Sequence, residues 1–267
     1  MLKTRPIGIF DSGVGGLTVV KSLLARLPGE SFIYYGDTAH VPYGSKSREE
    51  LFKYANDIVS FLLSREVKII VVACGTHSSV TLPEIEKTCP VPLLGVVKPG
   101  ARAAAQATRN GKIGVIATQA TVNSCSYSLS INAIEPEHEI FSAACARFVP
   151  LVEAGILDGK ETRQAVEEYI APLLQRKIDT LVMGCTHYPF LAPVISDISG
   201  EGVTLVDPAT QTIEELIGIL KQNDILNDNE ACGTREFYVS GNEESFYRVG
   251  RLLLGDVIQK VDRIELD

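Results

Sequence analysis

The sequence predicts an α/β protein of two similar lobes, each a mostly parallel sheet flanked by helices, with the active site in the cleft between them. Three observations carry this expectation. Short β-branched runs alternate with segments of helical period, the mark of parallel strands joined by helices. The run Ile69-Ile70-Val71-Val72-Ala73 is apolar without interruption, as a strand covered on both faces must be. Finally, the pattern restarts about a hundred residues later.

In chain order, Ile7-Gly8-Ile9-Phe10 reads as a strand, and Leu17, Val20, Leu24 and Leu27 mark one face of a helix that stops at Pro28. A second strand covers residues 32–35. Leu51, Tyr54, Ile58 and Phe61 give a helical stripe, and further strands follow at 68–73 and 92–97. Lys112-Ile113-Gly114-Val115-Ile116-Ala117-Thr118 then resembles Pro6-Ile7-Gly8-Ile9-Phe10-Asp11-Ser12. The segment ending Gly184-Cys185-Thr186-His187 likewise resembles the one ending Ala73-Cys74-Gly75-Thr76-His77, with offsets of 106 and 111 residues. Two matches in one order at nearly one offset point to an internal duplication. Beyond residue 210 come a helix (Ile213, Leu216, Ile217, Leu220), a polar stretch at 222–235, the strand Phe237-Tyr238-Val239-Ser240, a helix with Phe246, Val249 and Leu253, and an edge-like segment at 261–266. These have no counterpart in the repeat and are expected to return to the first lobe. The predicted domains are therefore residues 1–97 with 211–267, and residues 98–210.

The chain has 267 residues, 45% hydrophobic and 22% charged, enough for one large domain or two modest ones. No apolar run approaches the roughly 20 residues that span a bilayer. The N-terminus enters a strand-like segment at once, with no apolar core of a signal peptide, so a cytoplasmic protein without a membrane partner is expected. The net charge is −8 and the pI about 5.2. Lysines and arginines are scattered among acids, which argues against a nucleic-acid partner. An acidic ligand would have to be captured locally, for example at helix N-termini. Six cysteines (74, 89, 125, 145, 185 and 232) include no CxxC pair and are expected to stay unpaired.

Ligands of open α/β sheets bind outside the carboxyl ends of the strands. Asp11-Ser12, Cys74 to Thr76, Thr118, and Cys185 to His187 all fall at such ends, two clusters per lobe. If the lobes face one another, Cys74 and Cys185 approach a ligand from opposite sides. Inverting a carbon stereocentre by proton transfer needs a base on one face and an acid on the other, and a helix N-terminus favours the thiolate a base requires. Asp11 and His187 are candidate proton partners. The segment Asp11-Ser12-Gly13-Val14-Gly15-Gly16 is glycine-rich, but Thr18 stands where a dinucleotide fingerprint needs its last glycine, and no phosphate-binding GxxxxGK[ST] occurs. Its glycines are expected to let the backbone turn into the helix and approach a small anion. Pro42-Tyr43-Gly44-Ser45 reads either as a loop presenting backbone N–H groups or as an ordinary surface turn. A zinc site of Cys74, His77, Cys185 and His187 is the competing metal reading, and its spacings match no standard knuckle. His40 and His138 show no partner and are expected to be exposed.

Four segments together resemble the glutamate racemase family: Asp11-Ser12-Gly13-Val14-Gly15-Gly16-Leu17-Thr18; Asp37-Thr38 with Pro42-Tyr43-Gly44; Phe148-Val149-Pro150-Leu151-Val152-Glu153; and Gly184-Cys185-Thr186-His187-Tyr188-Pro189. The resemblance runs from Ile7 to about Leu254. It implies interconversion of L- and D-glutamate for cell-wall peptidoglycan, with no cofactor and no metal, often by a homodimer. It implies Cys74 and Cys185 as the catalytic pair, assisted by Asp11, Glu153 and His187. Ser12, Tyr43, Gly44, Thr76, Thr118 and Thr186 would hold the substrate's carboxylates and ammonium, with Pro42 and Gly75 beside them. The family usually reads Ala-Cys-Asn-Thr-Ala at the first cysteine, where this chain has Ala73-Cys74-Gly75-Thr76-His77. Loss of the asparagine's hydrogen bond to a charged group costs about 1.5–3 kcal/mol. His77 is expected either to point outward or to stand in for that donor. Two further readings follow from Gly75: a racemase of another small acid, and a lapsed relative kept as a binding protein.

Overall fold

The computed structural model describes residues 2–229 and 231–266. The first half runs β1 (Ile7–Asp11), α1 (Leu17–Arg26), β2 (Phe32–Gly36), α2 (Arg48–Ser64), β3 (Ile69–Val72), α3 (Gly75–Val80), α4 (Leu82–Ile85) and β4 (Leu93–Gly95). The second runs α5 (Val97–Ala107), β5 (Lys112–Ala117), α6 (Gln119–Asn123), α7 (Ser126–Asn132), β6 (Glu139–Ala144), α8 (Phe148–Glu153), α9 (Lys160–Leu174), β7 (Thr180–Met183), α10 (Ala192–Ser199) and β8 (Thr204–Val206). The chain closes with α11 (Pro208–Gln222), β9 (Arg235–Val239), α12 (Glu243–Leu254) and β10 (Asp262–Arg263).

Two parallel sheets result, one ordered β10-β9-β2-β1-β3-β4 and the other β6-β5-β7-β8. Within the first, β2-β1-β3-β4 repeats the order of the second, so the topology carries the same duplication as the sequence. β1, β2 and β3 are buried at every position, which is why their sequences lack polar alternation. The closing strands β9 and β10 extend the first sheet beyond β2, and Glu230 of the polar stretch before them lies outside the described residues.

Local signals explain the helices. Ser47 and Glu50 form a reciprocal capping box that starts α2. The buried face of α2 is Leu51, Ala55, Ile58, Val59 and Leu62. Tyr54 and Phe61, read from sequence as part of that stripe, are half-buried and face rings instead: Tyr54 stacks on His40 and Phe61 tilts against Tyr35. Asp207 caps α11, which buries Ile213, Leu216 and Leu220 and packs on both α1 and α5. One continuous apolar core therefore passes from Val20 and Leu23 through Leu216 to Val166 and Ile195. This core backs the cleft and holds the carboxyl ends of the two sheets toward each other.

Candidate active site

Both sheets deliver a thiol at the end of the strand beside their first. Cys74 follows β3 and caps α3, with the backbone N–H groups of Thr76 and His77 directed at its sulfur. Cys185 follows β7 and opens the turn that leads to the 3-10 segment Tyr188–Leu191. The two thiols line one cavity of about 150 Å³ and are only 4% and 7% exposed. From the first lobe Ser12, Pro42, Tyr43, Gly44 and Thr76 also line it; from the second, Thr118 and His187 do.

Paired hydrogen bonds tie the lobes together around this cavity. Thr186, beside Cys185, donates its hydroxyl to Asp11 Oδ2 at the end of β1 (2.9 Å). Thr76, two residues past Cys74, shares a hydrogen bond with Thr118 at the end of β5 (2.9 Å). Each cysteine's turn thus sends a threonine to the end of the first strand of the opposite repeat, which is the duplication expressed as a cleft. Asp11 is fully buried, and its Oδ1 accepts the Gly13 N–H at 3.0 Å.

Behind Cys185 lies a relay. His187 Nδ1 is 3.8 Å from the Cys185 sulfur, and His187 Nε2 is 2.6 Å from Glu153 Oε1. Glu153 also accepts the Val14 N–H at 3.4 Å. This gives the glycine-rich turn its reason. A Cβ on Gly13 would collide with the Glu153 carboxylate, and one on Gly15 would stand 2.5 Å from both His187 Nδ1 and Thr186 Oγ1.

Electrostatics differ across the cavity. Burial pushes the Cys74 thiol well up, and Asp11 and then Cys185 push it the same way, against the opposing N–H groups of His77 and Thr76. Burial also raises Asp11, although His187 and the hydrogen bonds from Gly13 and Thr186 hold it back. For His187 burial alone would favour the neutral ring. Its hydrogen bonds to Cys185 and Glu153, with their charges, outweigh that and raise it well above the ordinary histidine range.

Several expectations need correction. His77 neither points outward nor replaces a donor: it is fully buried, its Nδ1 pairs with Thr81 Oγ1 at 3.1 Å, and its ring meets Phe10 and Tyr43 edge to face. Burial lowers its pKa to about 3, so the ring is neutral. His40 does have a partner, the Asp37 carboxylate (2.8 and 2.9 Å to its two oxygens). His138 is half-buried rather than exposed. The Tyr43 hydroxyl donates to Asp37, which further accepts the Ser240 hydroxyl at 2.6 Å. The loop at 42–45 borders the cavity, with a short 3-10 turn over Tyr43–Ser45. Of the other predicted residues, Asp11, Glu153, Gly75 and Thr186 stand behind the lining. No group of three or more His, Cys, Asp or Glu side chains placed to hold a metal occurs among the described residues.

Sequence reasoning missed Gln119, Cys145 and Ala146 in the lining, and named Ser45 and Val149 only as members of longer motifs. Cys145 follows β6, whose segment Glu139–Ala144 carries no continuous apolar run; the rule about strand ends would have found it had that strand been recognised.

The chain joins a two-lobed α/β fold to a cavity lined by two thiols, and residues 7–216 match the family described as Asp/Glu/Hydantoin racemase, to which it belongs. It is an amino-acid racemase. The chain is 44% identical over 263 residues to the glutamate racemase of Geobacter metallireducens, covering 98% of this chain and 97% of that one. It is 45% identical over 265 residues to that of Neisseria meningitidis, covering 99% and 98%. Among solved structures it is similar to Francisella tularensis glutamate racemase in complex with D-glutamate (TM-score 0.92, 36% identity, 99% of each chain). It is also similar to the Bacillus anthracis isoform RacE1 (TM-score 0.93, 37% identity, 99% and 98%). An aspartate racemase of Picrophilus torridus, at 18% identity and a TM-score of 0.55, shares the fold alone.

Proposed function

We propose that this chain interconverts L- and D-glutamate by two-thiol proton transfer, with Cys74 and Cys185 acting on opposite faces of the α-carbon. The observation that carries the reading is that two buried thiols from opposite lobes line one small cavity. One thiolate takes the α-proton, leaving a planar carbanion, and the opposite thiol gives its own proton to the other face. The product has inverted configuration, and the two thiols have exchanged protonation states. In the direction where Cys185 is the base, the His187 imidazolium held by Glu153 stabilises its thiolate, while Cys74, pushed up by burial, begins as the acid. In the reverse direction the N–H groups of Thr76 and His77 receive the Cys74 thiolate.

The likeness over nearly the full chain to proteins named glutamate racemase, one of them holding D-glutamate, supports glutamate as substrate, and the supply of D-glutamate for peptidoglycan is proposed as its use. The division into residues 1–97 with 211–267, and 98–210, is proposed with it: Asp11 and Cys74 then lie on one side of the cleft, Glu153 and Cys185 on the other. The test is deuterium uptake at the α-carbon of each glutamate enantiomer in heavy water. Uptake with racemisation is expected for the wild type, and inversion is expected to be lost in Cys74→Ser and in Cys185→Ser. Racemisation that survives either substitution at the wild-type rate would remove the two-thiol mechanism.

A further inference from the structure

His77 stands in α3, close behind the first thiol, and is fully buried. Its ring meets the Tyr43 ring edge to face at 4.6 Å and the Phe10 ring at 5.4 Å. Nδ1 lies 3.1 Å from Thr81 Oγ1, whose hydroxyl gives its only proton to the His77 carbonyl, so Nδ1 is the donor. Nε2 is then a bare acceptor, buried and without a partner among the described residues. A second ring proton would have to sit there. The titratable groups facing the ring are Cys74 at the head of its helix, Tyr43, Tyr54 of α2, Asp37 beyond the Tyr43 hydroxyl, and Asp11 at the end of β1. Both carboxylates are already engaged, Asp11 by Gly13 and Thr186, Asp37 by Tyr43, His40 and Ser240. The charged side chains of α4 and α5 are exposed. Aromatic faces attract a cation, but they do not replace the hydration that full burial removes.

Tyr43 lines the cavity and begins the turn at its edge. Asp37 takes its hydroxyl while His77 bears on its ring, so the residue is gripped from two sides. We propose that His77 is a positioning residue: its neutral ring seats Tyr43, and the turn with it, beside the cavity, and acid weakens that seat. The kinetic consequence rests on the glutamate racemase reading, whereas the acid consequence needs no substrate. His77 titrates near 6.5 in the unfolded chain and at about 3 in the folded one. Its contribution to stability is therefore complete above about pH 6.5 and is lost as the pH falls. On its account alone, the ratio of folded to unfolded protein should drop about thirtyfold between pH 7.5 and pH 5.

The experiment compares wild type with His77→Phe and His77→Ala, both of which keep the backbone N–H that faces Cys74. In urea unfolding, the folding equilibrium of His77→Phe should gain about thirtyfold on that of wild type between pH 7.5 and pH 5. Parallel curves would overturn the proposal. So would imidazole nitrogen NMR signals of His77 that titrate in the wild type with a midpoint above about pH 5. In glutamate turnover near pH 8, His77→Ala should raise KM at least about tenfold and leave kcat within about threefold. His77→Phe keeps a ring under Tyr43 and should hold KM within about threefold of wild type. An unaltered KM in His77→Ala would remove the positioning role, and a loss confined to kcat would show that the side chain acts through Cys74 instead. Should His77→Ala fail to fold, His77→Leu, which fills more of the space without a flat ring, takes its place. If the wild type turns over neither glutamate enantiomer, the functional reading falls, while the unfolding curves and nitrogen signals still judge His77.

Discussion

At the scale of residues, the Cys185 side of the cavity holds an imidazole with a carboxylate behind it, whereas the N–H groups that favour a thiolate at Cys74 are those of the His77 and Thr76 backbone. That asymmetry makes a specific prediction for Glu153→Gln. The folded His187 is raised above its unfolded value of about 6.5. The stability it contributes is therefore complete below about pH 6.5 and is lost as pH rises through the folded pKa. Removing the Glu153 charge takes away one of the causes that raise it. The alkaline limb of kcat/KM should move to lower pH, and kcat/KM near neutrality should fall about tenfold to a hundredfold. Unchanged pH–rate profiles in Glu153→Gln would mean that Glu153 does not support the imidazolium. The neutral His77, by contrast, sits within a ring cluster and belongs to the packing under Tyr43.

At the scale of elements, the turn at Tyr43–Ser45 has its place through the buried Asp37 carboxylate, which gathers its near neighbours His40 and Tyr43 with the distant Ser240. Tyr43→Phe removes one donor from a buried carboxylate, at a cost of about 1.5–3 kcal/mol. The lost bond should lower the melting temperature. It should also raise KM for glutamate more than it lowers kcat, since the turn borders the cavity without touching the relay; an unaltered KM would show that the turn needs no such anchor. Asp37 was visible in sequence only as part of a motif. Its partner Ser240 is 203 residues away, and no local pattern reports such a meeting. The thiols were legible because strand, cysteine and helix are contiguous, so the strand-end rule placed them directly.

For the whole molecule, Lys68 and Glu30 form an ion pair that is 0% and 1% exposed. The ammonium donates to Glu30 Oε2 (2.6 Å), Lys3 O (2.7 Å) and Ile225 O (2.8 Å), while Glu30 Oε1 accepts the Asn227 N–H (2.8 Å). The pair binds the start of β3 to the N-terminal segment and to the connection between α11 and β9, where the chain returns to its first sheet. Lys68→Met leaves the carboxylate buried and unpaired, which costs about 3–5 kcal/mol. The expected drop in melting temperature is on the order of 10 °C, with kcat per folded molecule kept because the pair lies outside the cavity. A drop of only a degree or two would show that water reaches Glu30. From sequence Lys68 looked like the polar start of an apolar strand; only the fold supplies its three acceptors.

The sequence by itself determined the alternation of strands and helices, the duplicated halves, and the placement of two thiols at equivalent strand ends. All of these depend on hydrophobic period and on neighbours in the chain. Only the tertiary structure decided what meets across the cleft. It turned the Tyr43 hydroxyl to Asp37, buried His77 beneath that ring, set Glu153 behind His187, and brought Gly13 and Gly15 against the opposite lobe. The physical reason is range. A propensity or a periodicity is written over a few residues, whereas these contacts join groups such as Asp11 and Thr186, 175 residues apart, and exist only once two folded faces have packed.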